Sequence, residues 1–203
     1  MAQQQRAPPA FDFEIDDSLA EWAVPAPAWL ARNAERLRLR KLALDGIASG
    51  SLVFDPAGRV LMLQRADHDS MPGRWEMPGG AVDDADPTIL HGAARELWEE
   101  AGLVATRFCA VVTEGSSGRD LQVYPNRNRT RWFCRFAFLA QVESCHDVRL
   151  DPNEHQAFVW ASEDDVRRQS VDRHPLPVTT DAVRLLILES FRLRRELDEA
   201  RPS

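Results

Sequence analysis

Two segments decide the reading of this chain. Gly79-Gly80-Ala81-Val82-Asp83-Asp84-Ala85-Asp86 is followed, eight residues on, by Arg95-Glu96-Leu97-Trp98-Glu99-Glu100-Ala101-Gly102-Leu103. The second segment packs three glutamates into five positions and stops at a glycine. On a helix, Glu96 neighbours Glu99 at i,i+3 and Glu100 at i,i+4, so the carboxylates crowd about one face and repel one another. A hard cation facing that crowd removes the conflict. Mg²⁺ suits it, because it takes carboxylates and substrate phosphates together.

These residues resemble the signature of the Nudix family. Arg95 to Leu103 fits the Arg-Glu-apolar-x-Glu-Glu-x-Gly-apolar half of the Nudix box without a mismatch, and Trp75-Glu76-Met77-Pro78-Gly79-Gly80 resembles the usual approach to it. The upstream half departs twice. Asp86 stands where the box usually has Glu, and one extra residue separates it from Arg95. The resemblance runs from about Asp45 to Trp160. It implies an α/β/α sandwich with a mixed sheet and the activity of a Nudix hydrolase, a pyrophosphohydrolase acting on phosphoanhydrides. It implies Glu96, Glu99 and Glu100 as metal ligands, the Gly79 carbonyl as a further ligand, and Arg95 as the residue that orients the glutamates. Gly80 and Gly102 take structural places in the box. The expected cofactor is Mg²⁺, with Mn²⁺ as the alternative.

Other residues admit two readings each. Asp86 either assists the metal site or caps the helix ahead of Pro87 at the first helical position. Glu154, in Asn153-Glu154-His155-Gln156, is a further ligand or the base that activates water, or else a solvated loop acid. His155 and His91 read as packing or surface histidines. Arg65, after the strand Val60–Gln64, and Arg74 are candidate substrate contacts, since guanidinium suits bidentate phosphate binding. For Arg74 the alternative is a pair with Glu76. Arg127, Arg129 and Arg131 alternate along the chain and form either a phosphate-facing rim or a solvated hairpin. Tyr124, Trp132 and Phe133 stack a base or belong to the core.

Size and composition bound the rest. At 203 residues the chain fits one domain with added length. We expect an N-terminal extension over residues 1–44, an arm plus a basic amphipathic helix over 28–40, and a Nudix domain over 45–203 that includes a C-terminal helix from Thr180 to Glu199. Between them, Ile47–Phe54 and Val60–Gln64 read as a hairpin around Asp55-Pro56-Ala57-Gly58. Strands and helices alternate without strict βαβ repetition, which predicts an α+β fold. The net charge of −7 argues against a duplex nucleic-acid binder and favours a small substrate over long RNA; the resemblance implies that this partner is a nucleotide-like diphosphate. Three cysteines without a CxxC pair suggest a reducing compartment. No apolar run is long enough to span a membrane, so a soluble cytoplasmic protein is expected, with a homodimer as an option.

The function expected on these grounds is Mg²⁺-dependent hydrolysis of a diphosphate linkage in a nucleoside diphosphate derivative, by attack of water on phosphorus. The alternative is an inactive Nudix-fold module that binds a nucleotide. The isomerase branch of the family needs a positioned cysteine and extra ligands, for which no convincing match is found.

Overall fold

The computed structural model describes residues 8–115, 121–126 and 128–200. Its centre is β2 (Gly46–Val53), buried along nearly its whole length. A strand buried on both faces must find hydrogen-bond partners on both edges. The partners are β8 (Trp132–Val142), which runs parallel to it, and β5 (Gly79–Ala81), which runs antiparallel. On the far side of β8 lie β6 (Ala105–Val112) and β7 (Gln122–Pro125), both antiparallel, and beyond β6 the short β1 (Glu14–Ile15). A second sheet orders β4 (Trp75–Glu76), β3 (Val60–Arg65) and β9 (His155–Ala161), all antiparallel.

The expected hairpin between β2 and β3 does not form. The turn is present, with the Gly58 amide donating to the Asp55 carbonyl at 2.9 Å and the Arg59 amide to the Asp55 carboxylate at 2.8 Å. Yet only Phe54 and Val60 bridge across it. Both edges of β2 are already taken, so the chain leaves the turn into the second sheet.

Two cores result, one on each face of the six-stranded sheet. One joins the sheet to α1 (Ala26–Arg32), α2 (Ala34–Leu39) and α3 (Ile89–Ala101), through Trp29, Leu37, Ile89, Leu90, Ala93 and Leu97. The other joins it to the second sheet and to α5 (Asp181–Glu199), through Met62, Val183, Leu186, Ile187 and Phe191. The order is therefore helix, sheet, helix. α4 (Glu163–Arg168) is a short capped helix, with Ser162 and Asp165 forming a reciprocal capping box.

The basic helix expected over 28–40 is broken at Asn33. The Asn33 side-chain amide donates to the Trp29 carbonyl at 3.1 Å, a local bond that competes with helix continuation. Leu19, Trp29 and Leu37, all ahead of residue 45, are buried in the same core as α3. Cys134 is buried, and Cys109 and Cys145 are half-buried. No helix among the described residues is long and apolar enough to cross a membrane.

Candidate active site

The turn from β5 into α3 carries the chemistry. α3 starts two residues later than the cap reading of Asp86 requires. Thr88 is the N-cap, its hydroxyl accepting from the His91 amide at 3.2 Å, and Pro87 stays outside the helix. Asp86 is buried and takes a different partner. Both its oxygens accept from Arg95 at 3.0 Å, and one also accepts from the Asp83 amide at 2.8 Å. At the other end Gly102, at φ 68°, closes the helix in the left-handed conformation.

Arg95 is the hub of the turn. Besides Asp86, it donates at 2.8 Å to the Glu96 carboxylate, to the Glu99 carboxylate and to the Ala81 carbonyl. It thereby ties the loop after β5 to the acidic end of α3. Gly79 and Gly80 bring the strand close enough for this. A Cβ on Gly79 would lie 2.5 Å from the Gly50 Cα and the Ser49 carbonyl oxygen, and one on Gly80 would lie 2.6 Å from a Glu96 oxygen. The Gly79 amide in turn donates to Glu100 at 2.7 Å.

The carboxylates differ in setting. Glu100 is 5% exposed, and burial, together with Glu96, Glu76 and Glu154, pushes its pKa well above the usual range. Burial likewise raises Glu96, to about 7, against the opposing pull of Arg95. Glu99 is half exposed. Glu154, exposed at the start of β9, brings an oxygen, and His155 a ring nitrogen, into one group with Glu100 whose donor atoms lie within 4.8 Å of one another. The set of carboxylate oxygens with one cation shared among four acidic side chains (Asp86, Glu96 and Glu99 directly, Asp83 at 3.8 Å) fits a hard divalent ion.

Two residues of this cluster escaped the sequence reading. Glu76 is buried and pairs with Arg65, not with Arg74. His155 is 2% exposed, with its Nε2 3.5 Å from Glu76. A buried position opposite Arg65 is not visible in sequence, because it depends on a bulge in β9.

The arginines are placed unequally. Arg65 is held by Glu76, Asp69, the Ser70 carbonyl and the Ser70 hydroxyl, leaving one Nη1 hydrogen unused. Arg74 is exposed, with one 3.3 Å bond to the Val178 carbonyl. Arg129 and Arg131 are exposed on the turn between β7 and β8, where the Asn126 side chain accepts from the Thr130 and Arg131 amides; Arg127 lies outside the described residues. Tyr124 stacks on Phe133 at 6.2 Å, Arg135 lies over the Tyr124 ring, and Trp132 is exposed. A hollow of about 170 Å³ lies between the N-terminal segment and β6, β7 and β8, and none of the clustered carboxylates lines it.

Residues 45–181 match the model of the NUDIX domain. A MutT-like protein of Streptomyces ambofaciens is 30% identical over 129 residues, 64% of this chain and 71% of the relative. The CTP pyrophosphohydrolase of Escherichia coli K12 is 27% identical over 128 residues, 62% of this chain and 83% of the relative. Among solved structures, the MutT protein of Methanosarcina mazei Go1 superposes with a TM-score of 0.51 at 22% identity, covering 78% of this chain and all of that one, a likeness of fold. The chain belongs to the NUDIX domain family: it is a Nudix hydrolase of α+β fold with a mixed sheet.

Proposed function

We propose that the protein hydrolyses a diphosphate linkage in a nucleoside diphosphate derivative, with Mg²⁺ as cofactor and Mn²⁺ as the alternative. The observation that carries this is the pair of buried, mutually repelling carboxylates, Glu96 and Glu100, packed against Gly79-Gly80, with Arg95 as the counter-charge bonded to Glu96 among the described residues. Such burial is unfavourable for a fold and useful for a cation site. That a similar protein is a CTP pyrophosphohydrolase supports a nucleotide substrate.

Glu96, Glu99 and Glu100 would hold the ion, with the Gly79 carbonyl beside them. The chemistry a divalent ion supplies when bound is charge neutralisation on the diphosphate and a lowered pKa for water. Glu154, whose carboxylate lies near Glu100, would serve as a further ligand or as the base that activates water. Arg95 holds Glu96 and Glu99 in place while Asp86 fixes Arg95. Arg74 offers most of its guanidinium to a phosphate, and Arg65 its one unused hydrogen. In this reading residues 1–44 form an extension to a hydrolase domain over 45–203, in a reducing cytoplasmic compartment.

The test is product analysis across nucleotide diphosphate derivatives with Mg²⁺, beside Glu100→Gln. Products from one substrate class that vanish in the variant support the proposal. No products from a folded protein that still binds nucleotide would turn it into a binding module.

A further inference from the structure

We propose that His155 is a metal ligand, adding with Glu100 and Glu154 a nitrogen donor that raises affinity for a first-row ion such as Mn²⁺ more than for Mg²⁺. The inference rests on the metal-dependent reading above and adds a donor of a different kind to the glutamate set.

The backbone explains how this imidazole reaches the acidic cluster. β3 and β9 pair in register from Val60–Ala161 to Gln64–Ala157, but Arg65 then pairs with His155 instead of Gln156. Gln156 is the extra residue of a β-bulge. A one-residue slip moves side chains to the opposite face of a sheet. Without the bulge, His155 would face away from Arg65. With it, His155 joins the face shared by Leu63, Arg65 and Glu76, and Gln156 is the residue left exposed. The bulge is fixed by the backbone on either side: the His155 amide donates to the Asp151 carbonyl at 2.8 Å, and the Ala66 amide to the Glu154 carbonyl at 2.8 Å.

The ring is then buried at 2% exposure with neither nitrogen hydrogen-bonded. Its nearest charged neighbour, a Glu76 oxygen at 3.5 Å from Nε2, is too far for a good hydrogen bond and is already engaged by Arg65. Buried polar groups without partners are uncommon and call for an occupant. The occupant suggested by the geometry is a cation. Donor atoms of Glu100, Glu154 and His155 lie within 4.8 Å of one another. Donors around one ion at about 2.1 Å lie up to about 4.2 Å apart, so a small movement of the exposed Glu154 closes the set. Imidazole binds later first-row ions better than it binds Mg²⁺, which prefers oxygen.

The experiment uses Mn²⁺ alone as probe, bound to the full chain, and reads nitrogen hyperfine coupling by pulsed electron paramagnetic resonance. The expected spectrum of the wild-type protein contains one imidazole nitrogen, and its coupling changes in protein labelled with ¹⁵N-histidine. In His155→Gln the coupling disappears and Mn²⁺ affinity falls by roughly tenfold or more, while Mg²⁺ affinity falls less. Bound Mn²⁺ without nitrogen coupling in the wild-type protein would overturn the assignment of His155 and leave the glutamate site standing. No Mn²⁺ binding at all would overturn both. The wild-type spectrum decides the matter even if the variant does not fold.

Discussion

Replacing Glu96 by Gln should make the metal-free protein more stable at pH 8 while abolishing its function. Burial holds the Glu96 carboxyl at about 7, above its ordinary 4.5. The folded state therefore binds this proton more tightly than the unfolded state does. Stability is full below about pH 4.5 and declines as pH rises through about 7, by about 3 kcal/mol once the group is ionised in both states. Glutamine carries no charge at any of these pH values, so the variant escapes the loss. The value of about 7 already includes the opposing pull of Arg95, and the amide oxygen still accepts from that guanidinium. The gain at pH 8 in a chelator is therefore up to about 3 kcal/mol, a rise of roughly 6–12 °C in melting temperature for a chain of this size. At pH 5 the wild-type carboxyl is protonated and the gain vanishes. Adding Mg²⁺ should reverse the order, because the wild-type protein gains a ligand that the variant binds poorly. The assay is thermal unfolding at pH 5 and pH 8, with chelator and with Mg²⁺. A variant less stable than wild type at pH 8 in chelator, or a difference independent of pH, would refute the reasoning.

Further outcomes follow from other parts of the structure. Arg95→Ala removes the cation from a buried acidic turn and should destabilise the protein by about 3–5 kcal/mol in chelator; calorimetry that finds under 1 kcal/mol would show that the carboxylates do not depend on it. Gly79→Ala places a methyl group 2.5 Å from the Gly50 and Ser49 backbone, so β5 must separate from β2, and amide exchange across Ser49–Gly50 should quicken markedly; unchanged protection would contradict the close approach. Trp29→Ala should cost about 3–5 kcal/mol in denaturant unfolding, because Trp29 is fully buried against the core of α3. A loss below about 1 kcal/mol would mean the N-terminal segment is only laid on the surface.

The acidic end of α3 was legible because helical spacing is local. Glu96, Glu99 and Glu100 fall on about one face by periodicity alone, and Gly102 stops the helix with a left-handed residue. The sequence reading of Asp86 as a cap failed because two residues on either side of Pro87 competed for one role. Thr88 caps, and Asp86 is drawn to Arg95 by charge across nine residues. The β2–β3 hairpin failed for a different reason. Turn chemistry at Asp55–Gly58 was read correctly, but a turn does not decide which strands pair when both edges of β2 are taken by β5 and β8.

The sequence by itself determined the acidic helix, its C-terminal stop and the paired glycines before it. All of these are set by residue type and spacing within about one helical turn or one loop. Tertiary structure alone decided that Glu76 and His155 join the cluster, that Arg65 is engaged by Glu76, Asp69 and Ser70, and that the N-terminal segment shares a core with α3. The place of His155 depends on strand register and on a single inserted residue in β9. A side chain's face in a sheet changes with every residue of slip, so it cannot be read until the strands have chosen their partners.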